Sequence, residues 1–298
     1  MEVAAQAKIN LRLRVLAREE DGYHQIETLF LRLELADAIR VRRTPGARTL
    51  DASGDGASLG PVERNLAWRA ADSYFAASGM GGGFAIELDK RIPVGGGLGG
   101  GSADAGAVLR ALDAMADAPL GEATLIGLGA AIGSDVPFLA SEHAYALAWG
   151  RGERMLALEP PPIRHVLLSV PGFSVNTGEA YGWLAAARAD EDGTDAPRAV
   201  MLHPLQLSHW ESIARLATND FEPVVAARHP EIAAALAAHR AAPPVELALM
   251  SGSGSSIFAI VRGDAEQVRV LTKAKPGTGA TAIATRTASR VEPPLPIE

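Results

Sequence analysis

The stretch Arg91-Ile92-Pro93-Val94-Gly95-Gly96-Gly97-Leu98-Gly99-Gly100-Gly101-Ser102-Ala103-Asp104-Ala105 decides how this chain is read. Six glycines surround one leucine, after an alternating, strand-like run from Phe84 to Asp89. Backbone without Cβ reaches positive φ at little cost, so several N–H groups can converge on one point. Downstream, Ala105, Val108, Leu109 and Leu112 fall at i, i+3, i+4 and i+7, one face of a helix. That helix adds unpaired N–H groups and the positive end of its dipole. A strand, a glycine loop and a helix in this order make a seat for phosphates, and they predict a nucleotide-binding enzyme.

Bulk properties narrow the class. At 298 residues the chain has room for two ordinary domains, and its composition (48% hydrophobic, 21% charged) is globular. A net charge of -7 argues against nucleic acid or an anionic membrane as partner, so local groups must hold any anionic ligand. Cysteine is absent, which removes disulfides, thiolate metal sites and a thiol nucleophile. Met1-Glu2-Val3 opens no secretory signal, and no apolar run approaches the ~20 residues of a membrane span; the expectation is a cytoplasmic protein.

Working outward, Ile9, Leu11, Leu13 and Val15 alternate with polar residues as in a half-buried strand. The Asp21-Gly22 turn and the apolar stretch Ile26 to Leu35 complete a hairpin, and Ala38 to Arg43 reads as a further strand. Helices are expected from Asn65, which can cap, to Ala77 and from Thr124 to Ile132, with a strand at Ala144 to Trp149. Pro160-Pro161-Pro162 can continue neither helix nor central strand and marks a boundary, dividing the chain into 1–158 and 159–298. Beyond it, strands are predicted at His165 to Val170, Val245 to Met250 and Ser256 to Val261. Helices are predicted at Thr177 to Arg188, Glu231 to His239 and Asp264 to Lys273, with an exposed loop over 189–210. The fold class is α+β in two lobes.

Gly95, Gly97 and Gly100 satisfy the dinucleotide fingerprint, but the βαβ context it requires is missing. No Gly-Lys-Ser/Thr follows the glycines, so this is no P-loop, and the His-Arg-Asp and Asp-Phe-Gly triplets of protein kinases are absent. Instead, Pro93 to Ala103 resembles the phosphate loop of the GHMP kinases, named from galactokinase, homoserine kinase, mevalonate kinase and phosphomevalonate kinase. Ala7-Lys8-Ile9-Asn10-Leu11 is similar to the superfamily's N-terminal motif, and Leu249-Met250-Ser251-Gly252-Ser253-Gly254-Ser255-Ser256 to its C-terminal one. Asp21-Gly22-Tyr23-His24 and Gly133-Ser134-Asp135-Val136-Pro137 resemble signatures of the branch that acts on CDP-methylerythritol. Gln6, Ser134 and the Ser255-Ser256 pair depart from the usual residues without removing a charge or donor that the chemistry needs.

The resemblance implies a lobe like ribosomal protein S5 domain 2 followed by a ferredoxin-like lobe, with both ligands in the cleft between them. It implies ATP with Mg²⁺ as cofactors and phosphorylation of the 2-hydroxyl of the cytidylylated acceptor in the non-mevalonate isoprenoid pathway. Moving a phosphoryl group is positioning plus charge neutralisation, and a carboxylate can take the alcohol's proton. By resemblance Asp135 is that base and Lys8 its partner, where the residues alone allow a turn acid and a solvated strand charge. Pro93, Val94, Gly95, Gly96, Gly97, Leu98, Gly99, Gly100, Gly101, Ser102 and Ala103 would wrap the ATP phosphates, with Ser102 capping the helix and offering its hydroxyl to phosphate or Mg²⁺. One helix terminus contributes only about 0.3–1 kcal/mol per exposed charge, so many donors must act together.

Asn65 would contact the nucleotide, cap its helix, or do both. Asn10, Tyr23 and His24 are implied on the acceptor side, where stacking on a base is worth about 1–3 kcal/mol. Tyr181, four residues after Thr177 on a helix, fits a second aromatic contact, and Thr177 a diphosphate or ribose contact; both also fit plain surface positions. Lys90 and Arg91 flank the loop, near the adenine or simply exposed. Ser251 to Ser255 form either a tight hairpin or a phosphate-facing turn. Asp104 suits a helix N-terminus structurally, or meets Mg²⁺.

Overall fold

The computed structural model describes residues 1–18, 24–54, 60–189, 202–273 and 280–297. Strand β1 (Glu2–Arg18) pairs antiparallel with β2 (His24–Thr44), forming the expected hairpin at greater length. The separate strand anticipated at Ala38–Arg43 is the far half of β2. Register shifts between Gln6 and Lys8 and between Asn10 and Arg12 bend the ribbon without ending its pairing. The half-buried strand is also corrected: residues 5–13 are all buried. One face lies in the core, and the polar face is covered by the second half of the chain. Arg12, for instance, donates to Glu27 Oε1 and Leu216 O, so its buried guanidinium is satisfied.

Next come β3 (Thr49–Gly54), helix α1 (Leu66–Ser78) and β4 (Gly83–Lys90). Asn65 caps α1 as expected, its Oδ1 accepting from the Ala67 amide at 2.8 Å. The glycine loop leads into α2 (Gly100–Ala114), whose predicted apolar face, Ala105, Val108, Leu109 and Leu112, is buried. Helices α3 (Glu122–Ala130) and α4 (Val136–Ala140) and strands β5 (Tyr145–Gly150) and β6 (Arg154–Ala157) complete the first half. Its sheet runs β3-β4-β2-β1, with β5 on β2 and β6 on β5.

The second half contains β7 (His165–Val170), α5 (Thr177–Ala189), α6 (Pro204–Leu207), α7 (Trp210–Leu216), β8 (Thr218–Asn219), α8 (Glu222–Ala226) and α9 (Pro230–Ala241). It closes with β9 (Val245–Met250), β10 (Ile257–Val261), α10 (Ala265–Lys273) and β11 (Thr281–Arg286). The four-stranded sheet has the antiparallel order β11-β7-β10-β9, the ferredoxin-like arrangement. Residues 190–201 of the expected loop lie outside the described residues, while α6 stands inside its remaining part, started by His203 and Pro204.

The halves are not separate bodies in their packing. Val166, Leu168, Phe258 and Ile260 of the second sheet belong to the same apolar core as Ile9, Leu31 and Leu109. Strand β8 pairs with β1 across the boundary. One apolar core therefore joins the two sheets. No described helix is long and apolar enough to cross a membrane.

Candidate active site

The glycine loop is pinned where it leaves β4. Asp37 on β2 accepts the Arg91 and Ile92 amides on Oδ1, at 2.5 and 2.8 Å, and pairs through Oδ2 with Lys90. Lys90 also reaches Asp104 Oδ2 at 2.5 Å, and all three side chains are buried. Lys90 is thus no surface cation but a crosslink between β2, the loop and α2. Arg91 is exposed and pairs with Asp89. Burial pushes the Asp104 carboxyl up to about 7; Lys90 opposes the shift and Asp37 adds to it.

The loop is then pressed against the second glycine motif. Gly97 has φ 77°, and a Cβ built there would stand 2.2 Å from Ser251 O, so close approach and positive φ both demand glycine. Its carbonyl accepts from Ser251 Oγ at 2.9 Å, and Gly96 O accepts from the Ser256 amide at 3.1 Å. Residues 251–256 form the turn between antiparallel β9 and β10, the hairpin of the two readings, and they pack on the glycine loop. Two expectations at the helix start are corrected. Ser102 does not cap α2, because the glycines already adopt helical geometry from Gly100; the cap position is Gly99, without a side-chain bond. Ala103 is turned into the core and its amide is spent on Gly99 O at 2.7 Å, so it is absent from the cleft wall.

Lys8 on β1 and Asp135 at the start of α4 meet, Nζ to Oδ2, at 3.2 Å. Lys8 also donates to Asn10 Oδ1 at 2.8 Å and to Gly97 O at 3.1 Å, and these two hydrogen bonds fix the direction of its ammonium. Its side chain is 3% exposed, whereas that of Asp135 is 29% exposed and makes no capping bond to α4. Asn10 is held by Thr28 Oγ1 and accepts from the Gly252 amide, so β1, the glycine loop and the β9–β10 turn converge here.

These groups line one cleft of about 750 Å³. Pro93 through Ser102 form one side, with Asn65. His24, Thr177, Tyr181 and Phe221 line the same cleft as Lys8 and Asp135. The His24 and Tyr181 rings stack at 4.5 Å, and Phe221 meets Tyr181 edge-on at 4.8 Å. Thr177 Oγ1 and Ser253 Oγ lie 2.9 Å apart. Tyr23 lies outside the described residues. Ser253, from the motif singled out in the sequence, also lines the cleft, as do Phe221, Arg64 and Arg151, which the sequence reading missed. A lone phenylalanine after Asn219-Asp220 carries no periodic signal.

Comparison with known proteins follows this geometry. The GHMP kinases N terminal domain model matches residues 65–143, and the GHMP kinases C terminal model residues 201–274. A 4-diphosphocytidyl-2-C-methyl-D-erythritol kinase from Geobacter sp. (strain M21) is 36% identical over 262 residues, covering 87% of this chain and 89% of that protein. The chain belongs to this kinase family. Another member, from Pelotomaculum thermopropionicum, is 38% identical over 286 residues, 95% of this chain and 96% of its own length. A crystal structure of 4-(cytidine 5'-diphospho)-2C-methyl-D-erythritol kinase superposes with a TM-score of 0.76 at 34% identity, covering 97% of this chain and 99% of that one. The two-lobed GHMP kinase fold expected from the motifs is thereby borne out.

Proposed function

We propose that this kinase transfers the γ-phosphoryl group of ATP to the 2-hydroxyl of 4-diphosphocytidyl-2-C-methyl-D-erythritol in the non-mevalonate isoprenoid pathway. The observation that carries it is the Lys8–Asp135 contact at 3.2 Å, in one cleft with a glycine cradle and an aromatic ledge. Backbone N–H groups of Gly95 to Gly101 hold the phosphate tail, aided by the start of α2. Asp135 accepts the proton of the acceptor hydroxyl as it attacks phosphorus in line, and Lys8 steadies the developing oxyanion. Transfer is direct, with no covalent phosphoenzyme. On the other side, cytosine gains about 1–3 kcal/mol by stacking on the His24–Tyr181 ledge. Thr177 and Asn10 face the acceptor's polar groups.

Mg²⁺ fits this cleft. Among the described residues no group of three acidic or histidine side chains gathers. An ion that takes one or two protein donors and draws the rest from phosphate and water needs no such cage. Ser102 and the buried Asp104 Oδ1, which has no hydrogen-bond partner among the described residues, would be the side-chain donors for it. When bound, it neutralises phosphate charge. The division at 1–158 and 159–298 separates a nucleotide-holding lobe from one that supplies Thr177, Tyr181 and the 251–256 turn. A cytoplasmic location, where ATP is supplied, belongs to the same proposal.

The test is an ATP-consumption assay on CDP-methylerythritol, mevalonate, homoserine and galactose in parallel. Turnover confined to the cytidylylated acceptor is expected. Preference for another alcohol would transfer the chain to a different acceptor class, and tight ATP binding without any turnover would mark a silent nucleotide sensor.

A further inference from the structure

Two buried guanidinium groups stand behind the reaction centre, and the chemistry above leaves them unused. Arg32 is the register partner of Lys8 across the β1–β2 hairpin, so both side chains share one face of the ribbon. Its Nη2 donates to Phe138 O at 2.8 Å and Ser141 O at 3.0 Å, and its Nε to His143 O at 2.9 Å. Arg110, on α2, donates to Leu139 O at 2.6 Å. Among the described residues neither arginine forms an ion pair, and both are buried. Burial, and in Arg32 the field of Arg110, lowers their affinity for the proton: Arg32 well below its ordinary value, Arg110 to about 10. Burying an unpaired charge is costly unless hydrogen bonds satisfy it.

Their carbonyl partners explain the expense. The four run from the middle residue of α4, Phe138, to three residues past its end, and α4 is the five-residue helix whose cap position is Asp135. A helix this short does not hold itself together, and cations at its C-terminus meet the negative end of its dipole. The same helix is tied at its other end by Lys8. Between the two ends, Lys8 Nζ lies over the Phe30 ring at 5.7 Å, Phe30 stacks on Phe138 at 4.9 Å, and the Arg32 guanidinium covers Phe138 at 5.0 Å. Three successive contacts, cation to ring, ring to ring and ring to cation, thus link Lys8 of the catalytic couple to Arg32. We propose that Arg32, assisted by Arg110, is a positioning residue for the general base: it anchors α4 by its terminal carbonyls and so sets where Asp135 meets the acceptor hydroxyl.

Because Arg32 acts through Asp135, this inference rests on Asp135 being the base. The decisive experiment is a double-mutant cycle on kcat with Arg32→Met and Asp135→Asn, together with KM for ATP and for the acceptor. A displacement of about 1 Å costs on the order of 10²-fold, so Arg32→Met should lower kcat roughly 10- to 100-fold, with both KM values within about threefold. In the Asp135→Asn background the same change should alter kcat by less than about twofold, because nothing remains to be positioned. Arg32→Lys keeps the charge without the planar fork and should not restore the rate. An unchanged kcat in Arg32→Met, or an equal loss in both backgrounds, overturns the proposal. Should Arg32→Met fail to fold, Arg32→Lys and Arg110→Met enter the same cycle under the same criteria. Full activity of Asp135→Asn alone would instead refute its role as base.

Discussion

Replacing Gly97 by alanine puts a methyl group where two strands of the site already touch. The added Cβ would stand 2.2 Å from Ser251 O and 3.0 Å from Gly254 O. Both are backbone atoms, which cannot swing aside as a side chain does. The residue also sits at φ 77°, a region that costs alanine roughly 1–2 kcal/mol. Ordinary contact with Ser251 O begins at 3.4 Å, so loop and turn must part by roughly 1 Å. The Gly97 carbonyl moves with them, and it holds both Ser251 Oγ and Lys8 Nζ. Misplacement of that size in a reacting constellation costs on the order of 10²-fold in rate. Steady-state kinetics should show kcat reduced by about that factor, and thermal unfolding a Tm lower by roughly 2–8 °C. Gly127→Ala is the control, inside α3, where beyond its chain neighbours and its own helix backbone no atom of the described residues lies within 4 Å of its Cβ. It should raise stability by up to about 1 kcal/mol and leave the rate alone. A Gly97→Ala enzyme within about threefold of the parent rate would refute the claim that the loop's placement against the turn sets the geometry.

Asp135→Asn should lower kcat by about 10²–10⁴-fold while an ATP analogue binds as before, since the carboxylate is not part of the cradle; calorimetric titration separates the two. Tyr181→Ala should raise KM for the cytidylylated acceptor by roughly 5- to 150-fold and leave KM for ATP nearly constant, the kinetic equivalent of about 1–3 kcal/mol of stacking. Asp37→Ala strips Lys90 of one buried partner and orphans the Arg91 and Ile92 amides. A loss of about 3–5 kcal/mol in urea unfolding is expected, and a change below about 1 kcal/mol would show that the crosslink does not hold the loop.

Much of this molecule was legible before any coordinates. The capping of α1 by Asn65, the apolar face of α2 and the strands β4, β5, β7 and β9 are signalled by cap chemistry and side-chain periods within a few residues, so composition and spacing report them. Other local signals misled. Polar residues alternating along β1 suggested an exposed face, because nothing nearby shows that the chain's second half covers it. Ser102 carries the chemistry of a cap, but the flexible glycines before it start the helix earlier. The break expected between the two halves of β2 is absorbed by bulges whose partners lie on β1.

The sequence alone determined the phosphate cradle, the family and the order of elements, since glycine freedom, turn chemistry and side-chain period act over short stretches of chain. Tertiary structure alone decided that Lys8 and Asp135 touch, that Lys90 joins Asp37 to Asp104, that Phe221 completes the ledge, and that Arg32 and Arg110 grip the end of α4. Each of these contacts except Lys90 to Asp104 joins residues far apart in the chain. Their energies depend on burial and on distances of a few Å, which folding creates and no local pattern encodes.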